Sequence, residues 1–154
     1  MSDLEIVSYA PCFLDDCRRL IDALPDWFGI PESNASYLRS LSELPAWVAL
    51  LEARLVGAIV LAQHFLSSFE VHFLAVHPEH HRRGIGRALL RTLEAEARAR
   101  GGRWLRVQTL APSDPDPFYA RTRGFYAAMG FDPLYETTAP WGPENPTVVL
   151  VKAL

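Results

Sequence analysis

Three observations in the amino-acid sequence predict a single α/β domain. The chain has 154 residues, 49% hydrophobic and 21% charged, enough apolar material for one packed core and too much for a disordered chain. Strand-like and helix-like segments follow one another in the order β α α β β β α β α β β. Within that order, the stretch from Ser68 to Leu110 reads strand, helix, strand, the connectivity of a parallel or mixed sheet. No repeat and no Gly-, Ser- or charge-rich linker divides the chain, so residues 1–154 read as one domain.

Leu4–Tyr9 reads as a weakly alternating first strand. Asp15–Leu24 spaces Cys17, Leu20, Ile21 and Leu24 on one helical face, and Pro25 stops it. A second short helix is expected over Ser36–Leu41. Ala46–Leu51 and Leu55–Phe65 read as a hairpin turning at Glu52-Ala53-Arg54, apolar enough to be buried on both faces. Ser68–Val76 is the next strand, with Glu70, His72, Leu74 and Val76 expected on one side and Val71, Phe73 and Ala75 on the other. A polar turn from His77 to Arg83 leads to Gly84-Ile85-Gly86, which opens a helix whose Ile85, Leu89, Leu93 and Ala97 recur every fourth residue. Gly101-Gly102 ends that helix. Trp104–Leu110 returns as a strand. Asp116 as cap and Pro117 at the first position announce a helix running to Met129, with Gly130 as its stop. Phe131–Tyr135 and Thr147–Val151 are the last strands, separated by a stiff Pro-rich loop that carries Trp141.

Composition excludes several classes of function. The longest apolar run, Leu55 to Ala62, falls far short of the roughly 20 residues a spanning helix needs, so no membrane role is expected. The first residues, Met1-Ser2-Asp3-Leu4-Glu5, carry acid where a signal peptide carries base, and the chain reads as unexported and cytoplasmic. Cys12 and Cys17 are the only cysteines and read as reduced thiols. A net charge of −3 argues against a nucleic-acid binder with a basic surface. Lys152 is the only lysine, so the placement of arginines decides where anions can bind.

The arginines concentrate at one place. In His77-Pro78-Glu79-His80-His81-Arg82-Arg83-Gly84-Ile85-Gly86-Arg87 the first turn of a helix leaves backbone N–H groups unpaired, and the helix dipole adds partial positive charge. Gly84 and Gly86 keep side chains out of the way of a ligand, and Arg82, Arg83 and Arg87 add fixed charge. This is the chemistry of a pyrophosphate site. The third glycine of a dinucleotide fingerprint is absent, since position 89 is Leu, and no Gly-Lys-Ser/Thr forms a P-loop.

At this point the chain resembles the GCN5-related N-acetyltransferases, the GNAT superfamily. Their signature is Gln or Arg, two residues, Gly, one residue, then Gly or Ala, between a strand and a helix; here it reads His81-Arg82-Arg83-Gly84-Ile85-Gly86. A second segment, Phe125-Tyr126-Ala127-Ala128-Met129-Gly130-Phe131, is similar to the family's Phe-Tyr-x-x-x-Gly-Phe box. The resemblance implies a mixed central sheet with a splayed strand and flanking helices, and transfer of acetyl from acetyl-CoA to an amine by direct attack.

It also implies roles. Arg82, Arg83, Gly84, Ile85, Gly86 and Arg87 would hold the diphosphate, and the backbone of Leu74, Ala75 and Val76 would pair with the pantetheine amides by strand addition. Tyr126 stands where the family keeps its general acid. Glu70 is the leading base, with His72 or a water chain as alternatives. Tyr119 occupies the place of an Asn that touches pantetheine in many members, and that role is not carried over to it.

The acceptor is expected to be a primary amine of a small molecule or a protein. Trp27, Phe28 and Trp141 would wall its entrance, cover the core, or form a homodimer contact. Glu32 and Glu43 would suit a cationic amine. His72, His77, His80 and His81 share no single face, so no metal is expected. The alternative to an enzyme is a non-catalytic sensor that holds acyl-CoA without turnover.

Overall fold

The computed structural model describes residues 3–154; Met1 and Ser2, part of the N-terminal reading above, lie outside them. The elements are β1 (Leu4–Ser8), α1 (Leu14–Asp22), α2 (Pro31–Glu43), β2 (Ala46–Leu51), β3 (Arg54–Phe65), β4 (Ser68–Val76), α3 (Ile85–Ala99), β5 (Trp104–Leu110), α4 (Pro117–Ala128), β6 (Asp132–Thr137) and β7 (Thr147–Ala153). This is the expected order. The second helix is longer than its apolar spacing suggested, because Pro31 seats at the first position and Glu32 lies in the first turn, both favourable at a helix start.

The strands form one mixed α/β sheet in the order β1-β2-β3-β4-β5-β7-β6. β4 and β5 are parallel, joined by α3 as a crossover, whereas the hairpins and the C-terminal strands pair antiparallel. Each face is covered separately. Leu89, Leu90, Leu93 and Ala97 of α3 pack on Phe69, Val71, Leu105, Val107, Val148 and Leu150. Cys17, Leu20, Ile21, Leu24 and Leu41 pack on Val48, Ala58, Val60, Phe73 and Ala75 on the other face. The four-residue spacing of Ile85, Leu89, Leu93 and Ala97 thus marks a helical stripe with every member buried.

One side chain on the α3 face is charged. Glu94 is 3% exposed, and its Oε2 lies 2.7 Å from Lys152 Nζ on β7 and 3.6 Å from Arg98 Nη2. The single lysine is therefore spent on a buried ion pair that ties α3 to the sheet.

The β2–β3 hairpin turns through Glu52 (φ 50°) and Ala53 (φ 66°), with Leu51 opposite Arg54. A two-residue hairpin of this kind favours Asn-Gly, because both central residues take positive φ. Ala53→Gly, alone or with Glu52→Asn, is expected to raise stability by about 0.5–1 kcal/mol, read as a higher urea midpoint with an unchanged slope.

The strand faces differ from the expected alternation at one point. In the β3–β4 register Val60 faces Phe73 while Leu61 faces Val71, so His72 is an extra residue, a bulge. The consecutive residues His72 and Phe73 both contact the ring of Tyr37 on α2. Side-chain parity flips there: Val71 belongs to the α3 face, Phe73 and Ala75 to the α1/α2 face, and Leu74 and Val76 return to the α3 face. Glu70, His72, Leu74 and Val76 therefore do not share one face, as strict alternation predicted. The bulge gives His72 to the α2 side and Leu74 to the other.

Candidate active site

The parallel pairing of β4 and β5 spans only Ser68–Glu70 against Trp104–Arg106. Beyond it β5 stays paired with β7 through Leu110, and β4 stays paired with β3 through Val76. Two strands held by different partners must part, and the gap opens a cavity of about 970 Å³, within the size range of small-molecule sites. Its walls include residues 71–76 of β4, residues 107–110 of β5, the loop from Leu24 to Ile30, and the first turn of α3.

Backbone direction decides which β4 groups face this gap. His77 N–H donates to the Val56 carbonyl on the β3 side at 2.8 Å. Polar groups alternate along a strand, so Ala75 also points to β3, while Leu74 and Val76 present N–H and C=O to the cleft. The Val76 carbonyl accepts a hydrogen bond from His81 Nε2 at 2.7 Å. Of these three residues, Leu74 and Val76 turn their backbone polar groups toward the cleft and Ala75 turns its own toward β3.

At the mouth, Gly84 caps α3 with φ 79°, a left-handed conformation that glycine adopts without a Cβ clash. The first α3 hydrogen bond to it comes from Ala88 N–H, so the N–H groups of Ile85, Gly86 and Arg87 precede the helical ladder. Arg82, with φ 63°, and Arg87 line the cavity. Arg83 is directed instead at His80, its Nη1 3.5 Å from Nδ1. Gly86 has a packing reason: a Cβ there would lie 3.3 Å from the Phe125 ring of α4. The Ile85 side chain is core, leaving only its N–H to a ligand.

Tyr126 is 4% exposed, flanked by Phe125 and Phe131 with ring centroids 5.1 and 5.3 Å away, and it lines the cavity. Burial pushes its phenol pKa far above 10, with the nearby Tyr37 adding to the shift, so the hydroxyl keeps its proton at any working pH.

Glu70 and His72 lie on the α2 side, where a smaller cavity of about 220 Å³ is lined by Ser33, Ser36, Tyr37, Glu70, Val71, His72, Gln108, Pro140 and Trp141. Glu70 Oε1 sits 2.6 Å from His64 Nε2 and accepts from Arg106 Nη2 at 3.3 Å. It rivets β3, β4 and β5 at the point where the strands part. His72 lines both cavities. Burial lowers its pKa below 6.5; the Glu70 charge pulls it back up, and His64 pushes it down. The imidazole is thus neutral and able to accept a proton at pH 7.

Several lining residues lie outside the sequence motifs. Trp27 bridges the cleft: its Nε1 donates to Thr122 Oγ1 at 3.1 Å, its carbonyl accepts from the Tyr119 hydroxyl, and its indole packs edge-on against His81 and Phe118. Tyr119 is therefore a fastening between α4 and the Leu24–Ile30 loop. Phe28 and Trp141 also line the main cavity. Glu32 and Glu43 are exposed and line neither cavity. Among the described residues no group of three or more His, Cys, Asp and Glu could hold a metal ion, and no helix is long and apolar enough to cross a membrane.

The two thiols differ in reactivity. Cys12 is exposed and Cys17 buried; burial, aided by the Asp16 charge, pushes the Cys17 thiol up to about 12. The thiolate is the reacting species, so Ellman's reagent at pH 8 is expected to titrate one thiol per native chain and two after denaturation. Cys12→Ser would abolish the native signal.

A cleft between parted parallel strands, with a cationic helix start at its mouth, has the size and charge to admit an anionic small molecule. The family model for the acetyltransferase (GNAT) domain matches residues 42–133, and the chain belongs to that family of N-acetyltransferases, which use acetyl-CoA. No curated protein matches the sequence. Among solved structures, it is similar to a GNAT-family protein from Desulfovibrio desulfuricans (TM-score 0.84, 20% identity, 97% of this chain and 98% of that one). It is similar too to the ribosomal-protein-S18-alanine N-acetyltransferase from Escherichia coli (TM-score 0.77, 18% identity, 97% and 93%). A third is an aminoglycoside 6'-N-acetyltransferase complexed with coenzyme A (TM-score 0.73, 22% identity, 97% and 96%). At these identities the likeness is one of fold.

Proposed function

We propose that residues 1–154 act as one catalytic domain that moves acetyl from acetyl-CoA to the primary amine of a small molecule or an exposed protein group. The observation that carries this reading is the cavity itself, which runs from the α3 N-terminus past Leu74 and Val76 to Tyr126 and His72. The residues fit the co-substrate in parts. The N–H groups of Ile85, Gly86 and Arg87, with Arg82 and Arg87, suit the diphosphate. The cleft-facing N–H and C=O of Leu74 and the N–H of Val76, whose carbonyl is held by His81, suit pantetheine.

His72 then takes a proton from the amine as its nitrogen bonds to the acetyl carbon. Tyr126 gives its proton to the sulfur as the carbon–sulfur bond breaks, and the proton on His72 returns to Tyr126 through the cavity. The net products are the acetylated amine and the CoA thiol. His72 is favoured over Glu70 because it borders the main cavity, whereas Glu70 Oε1 is already engaged by His64 and Arg106. Glu70 supports the imidazolium by charge. Free thiols are consistent with work in the cytoplasm.

The test is CoA release from acetyl-CoA against a broad panel of amines and peptide N-termini, using the Cys12→Ser protein. Amine-dependent release supports the enzyme. Tight acetyl-CoA binding with no release above background supports a sensor instead.

A further inference from the structure

We propose that Tyr37, on α2 and outside every motif, is the positioning residue that aims His72 at the junction of the two cavities. This rests on the reading of His72 as the proton acceptor and adds what sets its direction. The bulge leaves His72 without a regular place in the sheet. What fixes it is an aromatic cluster: the Tyr37 ring lies 5.7 Å from the imidazole at 71°, edge to face, and 5.1 Å from Phe73. Phe28 closes the cluster, 5.8 Å from Tyr37 and 5.3 Å from Phe73. Aromatic pairs of this geometry add roughly 0.5–1.5 kcal/mol beyond area burial, enough to select one ring orientation.

The backbone of Tyr37 is tied within α2. Its carbonyl accepts from the Ser40 hydroxyl at 2.6 Å, and Ser40 is buried in the last turns of α2. Tyr37 lines both cavities alongside His72, Gln108 and Trp141. A side chain at that border decides whether the imidazole is dry and aimed or wet and free. The groups facing this region are Glu70 on β4 itself, His64 on β3, Arg106 and Gln108 on β5, and Tyr37 on α2. Burial raises the Tyr37 phenol pKa above 10, with the Glu70 charge adding to it, so among these groups it is Glu70 and His64 that act on His72 by charge, while Arg106 pairs with Glu70. Tyr37 acts by ring contact and by excluding water.

The test compares Tyr37→Phe, which keeps the ring, with Tyr37→Leu, which removes it. Each variant is first checked for a cooperative melt, and the five histidines are followed by NMR titration with His72→Gln identifying the His72 signal. In Tyr37→Phe, the His72 midpoint stays where it is in the unaltered protein and kcat is kept within about threefold. In Tyr37→Leu, the midpoint rises toward 6.5, kcat falls at least tenfold and the KM for acetyl-CoA is unchanged. A Tyr37→Leu protein with an unmoved His72 midpoint and an unmoved kcat overturns the proposal. If Tyr37→Leu does not fold, Tyr37→Phe decides: a moved midpoint there contradicts positioning by the ring. The reading beneath it fails separately, if His72→Gln keeps full activity while the Tyr37→Leu midpoint still moves.

Discussion

Tyr126→Phe is expected to lower kcat by 10²- to 10⁴-fold while leaving the acetyl-CoA dissociation constant within about twofold, the range by which a positioned proton donor accelerates a reaction. The substitution removes one oxygen and keeps the ring, so the contacts with Phe125 and Phe131 survive and stability changes little. Single-turnover measurement of acetyl transfer separates this from product release. A kcat within threefold of the unaltered protein would remove Tyr126 from the chemistry and leave it as core.

Lys152→Ala is expected to destabilise the fold by about 3–5 kcal/mol, because it strands a buried carboxylate. Glu94 is 3% exposed; Arg98, its other partner, lies at 3.6 Å and is half exposed, too distant to replace the 2.7 Å contact with Lys152. Replacing both partners, as Glu94→Leu with Lys152→Met, is expected to recover most of the loss, since a well-packed apolar pair avoids the desolvation that the ion pair must offset. Urea denaturation of the two single variants and the double variant gives the coupling. Equal losses in Lys152→Ala and the double variant would mean the charge is not the cause. The pair lies on the α3 face, away from the parted strands, so kcat at low temperature should be unaffected.

Local signals carried much of this architecture. The stripe Ile85, Leu89, Leu93, Ala97 announces α3 because each member must be dry on one side. Asp116 accepts from the N–H groups of Phe118 and Tyr119, so the cap-and-proline signature at the start of α4 is a hydrogen-bonding fact as well as a pattern. The glycine turn at 84–86 was legible for the same reason, although Gly86 answers to the Phe125 ring as much as to a ligand.

What escaped the sequence is non-local. The bulge at His72 adds one residue with no glycine to mark it, and it reverses every side chain after it; only the register with β3 reveals this. The Trp27–Tyr119 fastening joins residues 92 apart, and Tyr37 enters the site from a helix whose start is set by Pro31 rather than by an apolar stripe. Glu32 and Glu43 are close in sequence to Trp27 and Phe28, yet helical geometry points them to solvent. Arg83 and Arg82 are neighbours in sequence and differ in direction because Arg82 takes positive φ, turning the chain between them.

The proposed function requires unpaired amides at the start of α3 to hold the diphosphate of the acyl donor while β4 and β5 stand apart to admit its arm. A crystal structure of the complex with coenzyme A measures this directly. The predicted result places diphosphate oxygens within hydrogen-bond distance of the N–H groups of Ile85, Gly86 and Arg87, with the chain of pantetheine beside Leu74 and Val76 and its sulfur nearest Tyr126. Coenzyme A bound on another face, with the gap between residues 74–76 and 107–110 closed by the Trp27 loop, would contradict it.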